Sequence, residues 1–186
     1  MNTVMLLILC IIIIVCILLG IYMYLYNRIQ DYIVKINEIE AIIDTNLREK
    51  YDNISKCTSI IKNDSKIKTK VEKQTLEEVL NLKNKKISNF DLDRKLIEAN
   101  NELSILKQKY PSLNKNDEII KISKKIEDYD EKLEINREYY NNNIAEYNKL
   151  VKLFPTNIIA KICKYEEKLF FDRKDMSDDD YNDFKL

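Results

Sequence analysis

A chain of 186 residues has room for one ordinary domain and a membrane anchor, but not for a second enzyme-sized unit. Its 31 basic and 31 acidic side chains cancel, which excludes an overall attraction to nucleic acid or another polyanion. One glycine, two prolines and no histidine or tryptophan withhold the residues that β-hairpins, phosphate loops, histidine bases and most metal sites require, and leave an all-α fold.

After a short N-terminal end (residues 1–3), no charge occurs from Val4 to Leu25, and the run Ile11-Ile12-Ile13-Ile14-Val15-Cys16-Ile17-Leu18-Leu19 is wholly apolar. About 20 such residues at about 1.5 Å each cross a hydrocarbon core of roughly 30 Å, so residues 4–26 read as a transmembrane helix. A cleaved signal would have a basic start and a small-residue cleavage site. Here no basic residue precedes the run, which ends in tyrosines, so retention as an anchor is favoured. Neither Cys10 nor Cys16 follows a small-residue pair of the lipoprotein kind. Tyr22, Tyr24 and Tyr26, with Arg28 behind them, suit the membrane interface, where an amphipathic ring is at home. Arg28 and Lys35 follow the span while nothing basic precedes it, which directs the N-terminus outside and the C-terminal domain into the cytoplasm of a single-pass protein.

Residues 27–171 read as a helical bundle. Ile29, Ile33, Ile36, Ile43, Leu47, Tyr51, Ile54 and Ile61 recur at mostly three-and-four spacing, with a lapse at Glu40 between Ile39 and Ile42. With no proline or glycine from Tyr22 to Ile61, the membrane helix is expected to run straight into the first bundle helix. Asn63-Asp64-Ser65 is a break, and 69–86 reads as a second helix through Val71, Leu76, Val79, Leu80 and Leu82. Ser88-Asn89-Phe90-Asp91 is read as a turn, with Asp91 capping a helix from about Leu92 to Lys109 that Tyr110-Pro111 stops.

The next helix carries Ile119, Ile122, Ile126, Tyr129, Leu133, Tyr140, Ile144, Tyr147, Val151 and Phe154 on one stripe, with a small register shift near Asn136. Phe154-Pro155 ends it, and a short helix from Thr156 to about Cys163 is expected to fold back. Four amphipathic helices with short connections give an antiparallel four-helix bundle. Each stripe is read first as packing within the chain and second as a coiled-coil seam for a partner. An acidic tail, 172–186 with Asp178-Asp179-Asp180, reads as disordered.

Several chemistries lack their parts. Cys10, Cys16, Cys57 and Cys163 have neither C-x-x-C spacing nor a disulfide pattern, and Cys57 offers itself as a thiol reporter of the compartment. No phosphate-binding glycine motif can be built around Gly20 alone, and the Glu-x-x-His element of bundle metal sites is impossible without histidine. The cluster Asp178 to Asp183 lacks the glycine of an EF-hand. No catalytic residue, cofactor, metal site or small-molecule substrate is expected.

One ordered set of motifs carries a family resemblance. Tyr26-Asn27 stands at the membrane exit, Asn46-Leu47-Arg48-Glu49-Lys50-Tyr51-Asp52-Asn53-Ile54 in the first helix, and Tyr110-Pro111-Ser112-Leu113 at a turn. Arg137-Glu138-Tyr139-Tyr140-Asn141, Tyr147-Asn148, Phe154-Pro155, Ile159-Ala160 and Phe170-Phe171 follow. Together these resemble the LemA family, in which one N-terminal membrane helix precedes a helical bundle. The resemblance implies the anchor, the bundle and a bacterial membrane location, and supplies no catalytic residue. The chain departs from the family at Ile54-Ser55-Lys56-Cys57, which lacks the usual proline, and at Lys164-Tyr165, where the family has Gly-Phe. The family's frequent His-Glu is also absent.

The Tyr-Asn pairs are the polar feature to follow. Tyr140 and Tyr147, seven apart, share a helix face with Asn141 and Asn148 beside them. They form either a hydrogen-bonding surface for a peptide or partner helix, or core tyrosines with polar partners inside the chain. Arg137 with a carboxylate such as Glu131 or Glu134 is expected to make either a buried ion pair or, the favoured reading, a solvated helix-local one. The functional expectation is a non-enzymatic scaffold or adaptor on the lipid bilayer that binds a protein partner. The alternative is self-assembly through stalk and bundle helices into a homo-oligomer.

Overall fold

The computed structural model describes residues 3–63, 77, 80–81 and 88–171. Its elements are four α-helices, α1 (Thr3–Asn63), α2 (Asn89–Lys109), α3 (Asp117–Lys152) and α4 (Thr156–Cys163), with a 3-10 turn at Leu113–Lys115. There is no strand among the described residues, and the all-α expectation holds. The expected helix over 69–86, the break at Asp64-Ser65 and the acidic tail 172–186 lie outside the described residues. The chain divides into two compact units, one of residues 1–39 with 140–170 and one of residues 40–139 with the residues from Phe171 onward.

Helix α1 is continuous from Thr3 to Asn63, as the lack of breakers after Gly20 requires. Its apolar window has a mean hydropathy of 3.6 over 18 residues and is 0% buried, so α1 is long and apolar enough to cross a membrane. The apolar stripe beyond it is buried at Ile29, Ile36, Ile39, Ile43, Leu47, Tyr51, Ile54, Cys57 and Ile61. At the lapse the helix uses Ile39 and leaves Glu40 and Ile42 exposed, while Ile33 is only half-buried.

In the unit of residues 40–139, α2 begins three residues earlier than expected. Ser88, not Asp91, is the N-cap: its hydroxyl accepts from the Asp91 amide at 3.2 Å and donates to the Asp91 carboxylate at 2.8 Å. Asp91 therefore sits inside the first turn, bonded to the capping hydroxyl through both its amide and its carboxylate. After Tyr110-Pro111, the Asn116 side chain accepts from the amides of Glu118 (2.9 Å) and Ile119 (3.3 Å) and starts α3. Leu96, Ala99, Leu103 and Leu106 from α2 and Ile119, Ile122, Ile126 and Leu133 from α3 complete this core. The Phe171 ring packs on Phe90 at 4.6 Å between centroids. Tyr51 donates to the Leu80 carbonyl at 2.9 Å, and Lys62 pairs with Glu77 at 2.8 Å.

In the unit of residues 1–39 and 140–170, the stripe of α3 continues through Tyr140, Ile144, Tyr147 and Leu150. Leu150 takes the place expected for Val151, and Phe154, expected in the core, is 79% exposed. The reason is local: α3 stops at Lys152 and the chain turns into α4 at Thr156, so helical periodicity no longer dictates where Phe154 points. Helix α4 ends at Lys164, which adopts the left-handed conformation (φ 56°, ψ 40°), and the Tyr165 amide returns to the Ala160 carbonyl at 2.9 Å.

Candidate functional site

The polar residues gather into a ladder in one unit and a clamp in the other.

The ladder joins α2 to α3 in three rungs. Lys107 donates to the Ser123 hydroxyl at 2.7 Å, Asn100 reaches Asp130 at 3.5 Å, and Arg137 pairs with Asp93. Along α2 the rungs descend by one heptad while along α3 they ascend by one, which fixes the two helices as antiparallel. Lys50 of α1 joins the middle rung, bonding Asp130 at 2.5 Å from a position only 1% exposed. Enclosing a lysine side chain is costly unless it is paired, and Asp130 supplies the pair. Asp130 is reached from α1 and α2 at once, so one carboxylate ties three helices together.

Arg137 therefore has a buried ion partner on a different helix, Asp93, which is neither of the helix-local acids expected. Both Arg137 and Asp93 are buried, and Asp93 Oδ1 finds no hydrogen-bond partner among the described residues. Cys57, at the Lys107 end of α1, is fully enclosed, and burial pushes its thiol up against a smaller opposing pull from Lys107.

The clamp belongs to the other unit. Beyond α4 the chain runs extended, and Tyr147 donates its hydroxyl to the Glu166 carbonyl at 3.0 Å. The Asn148 amide donates to the Lys168 carbonyl and accepts from the Lys168 amide, both at 2.9 Å. Asn148 thereby imitates the neighbouring strand of a sheet, while Lys152 adds an ion pair to Glu167 at 2.8 Å. Burial first, and then the Glu166 charge, raise the Tyr147 hydroxyl above its ordinary value. The Tyr147-Asn148 pair is thus occupied by a segment of its own chain. Tyr140 is buried on the same helix face and Asn141 is half-buried beside it.

The membrane-exit residues also lie in this unit. Tyr22 and Tyr26 stack with ring centroids 6.1 Å apart, while Tyr24 and Arg28 are exposed. Cys163 lies beside the Tyr22 side chain, and Tyr165 accepts from the Gln30 amide with Tyr26 close by. Partial burial, followed by the hydrogen bond with Tyr26, pushes the Tyr165 hydroxyl up to about 12.

Lys50, Asn100, Asp93, Asp130, Gln30 and Tyr165 are the residues that the sequence reading passed over. The signal for Lys50 was present: Ile29, Ile36, Ile43 and Cys57 occupy one heptad position of α1, and Lys50 is the charge in that series. Asp93, Asn100 and Lys107 likewise share one heptad position on α2, beside Leu96 and Leu103. Among the described residues no group of three or more histidine, cysteine or carboxylate side chains could hold a metal.

These features define an all-α protein with a single apolar N-terminal helix of membrane-spanning length, and a helical body closed by buried cross-helix polar pairs. The LemA family pattern matches residues 40–182, most of the chain, and the protein belongs to the LemA family. No curated protein and no solved structure matches it.

Proposed function

We propose that this protein is a membrane-anchored scaffold or adaptor without catalytic activity, held by residues 4–26 in a lipid bilayer with its helical body on the cytoplasmic side. The reading rests on one observation above the others: the apolar face of α1 from Val4 to Leu19 is exposed on every turn, yet the same helix continues into a well-packed core. Only a hydrocarbon solvent covers such a surface without another protein. The polar groups of the body support a binding role over chemistry, because the ladder and the clamp spend theirs on each other. Arg28 and Lys35 after the span support the orientation.

Membrane extraction and photo-crosslinking together test the proposal. The full chain should resist alkaline carbonate and float with vesicles. A photoreactive residue at Ile135, which is 66% exposed on α3, should capture a defined protein in native membranes. Release of the chain into the soluble fraction would remove the anchor. Capture of nothing but a second copy of the chain would replace the adaptor by the homo-oligomer.

A further inference from the structure

Helix α4 is short, and both of its sides are apolar. Thr156, Ile159 and Ala160 are buried within their unit. The opposite side exposes Ile158 (50%) and Ile162 (64%), and Phe154, in the turn that leads into the helix, is exposed as well (79%). Ile158 and Ile162, four apart, lie on one face of this helix, with exposed Phe154 just ahead of it in the chain.

The surroundings of the patch say what covers it. The C-terminal end of α4 touches the membrane helix itself, through Cys163 against Tyr22, and the next turn of chain does so through Tyr165 against Tyr26 and Gln30. Tyr22 to Tyr26 is where the apolar run of α1 gives way to polar sequence. Eight residues of helix extend only about 12 Å, so all of α4 stays near that level. A bilayer around Val4–Leu25 brings headgroups and the upper acyl chains to the same level. Lys161 and Lys164 are exposed on this segment, where long basic side chains reach phosphates while their neighbours sit in lipid. Of the two acidic residues that follow, Glu167 is engaged by Lys152.

We infer that α4 is an interfacial helix whose Phe154, Ile158 and Ile162 insert into the lipid surface beside the membrane span, giving the unit a second hold on the bilayer. The idea rests on the anchored reading above and adds to it an amphipathic element lying in the plane of the interface.

The chain has no tryptophan, so a single introduced indole reports without background. Phe154→Trp and Ile162→Trp alter exposed apolar positions and leave the core untouched. They would be compared with Ile14→Trp in the span and Ile135→Trp on the other unit, each in full-length protein reconstituted into phosphatidylcholine vesicles containing phosphatidylglycerol. Brominated lipid should quench Phe154→Trp and Ile162→Trp several-fold more than Ile135→Trp, with blue-shifted emission, while acrylamide should quench only Ile135→Trp strongly. If Ile14→Trp responds to brominated lipid but both α4 reporters respond only to acrylamide, the interfacial helix is refuted and the anchor stands. If the α4 reporters are shielded from both quenchers, protein covers the patch and the lipid assignment is overturned. An Ile14→Trp reporter that ignores brominated lipid overturns the anchor and, with it, this inference.

Discussion

Asn148 holds Lys168 through both halves of its side-chain amide, donating to the carbonyl and accepting from the amide at 2.9 Å each. Removing these two bonds with Asn148→Ala leaves two backbone groups to be satisfied by water and should loosen the extended segment by about 1–3 kcal/mol. Hydrogen exchange at the Lys168 amide and tryptic cleavage after Lys168 should both accelerate. Unchanged exchange in the variant would show that the clamp contributes nothing to order.

The Asp93–Arg137 pair should behave as a unit. Arg137→Met leaves a buried carboxylate without its cation and should destabilise the protein by about 3–5 kcal/mol, whereas the double change Asp93→Leu with Arg137→Met should recover most of that loss. Denaturant unfolding of all four proteins gives the coupling energy directly. Additive effects of the two single changes would mean that the pair is not coupled. Lys50→Met should cost less, because Asp130 is partly open to water.

Lys164 occupies a left-handed position that glycine takes without a side-chain penalty. Lys164→Gly should therefore stabilise its unit by about 1 kcal/mol. A thermal midpoint raised by a few degrees is the expected readout, and a lowered midpoint would contradict the assigned backbone conformation.

Alkaline pH should act on the unit that holds Tyr165. Its hydroxyl is raised from 10.0 to about 12, so the folded state prefers the neutral phenol. The associated stability is present in full below pH 10 and is lost as the pH rises through about 12. Spectrophotometric titration should show a phenolate transition near pH 12 that disappears in Tyr165→Phe.

Topology is best tested away from Cys57. That thiol is enclosed and its ionisation is suppressed, so it will escape impermeant reagents on either side of the membrane. Ser104→Cys places a thiol at an exposed position of α2. With Cys10, Cys16 and Cys163 replaced by alanine, it should be protected in intact cells and labelled after lysis. Labelling of intact cells would reverse the proposed orientation.

Much of the fold was legible because it rests on periodicity and punctuation. The continuous α1, the stop at Tyr110-Pro111 and the start of α4 after Pro155 follow from where glycine and proline are absent or present. The cap of α2 was misplaced by three residues because Ser88 and Asp91 both favour capping, and only the backbone decides which one stands outside the helix. The partner of Arg137 was missed for a different reason. Helix-local spacing offers Glu131 and Glu134, whereas Asp93 is 44 residues away and becomes a neighbour only after the hairpin closes. Lys50 was assigned no role because lysine is ordinarily solvated, and the cost of enclosing one is met only by an acid on another helix. The clamp was half readable: the Tyr-Asn pairing announced hydrogen bonding, but nothing local revealed that the chain's own extended segment would fill it.

Sliding α2 past α3 by two turns would keep Leu96 and Leu103 facing the series Ile119, Ile126, Leu133 and Tyr140, so greasy contacts along that line tolerate the error. Displaced one way, Asp93 faces Asp130 and like charges collide; displaced the other way, Asn100 confronts Arg137 and the guanidinium is stranded without an acid. The sequence of side chains thus works as a notched key that admits a single alignment of the hairpin.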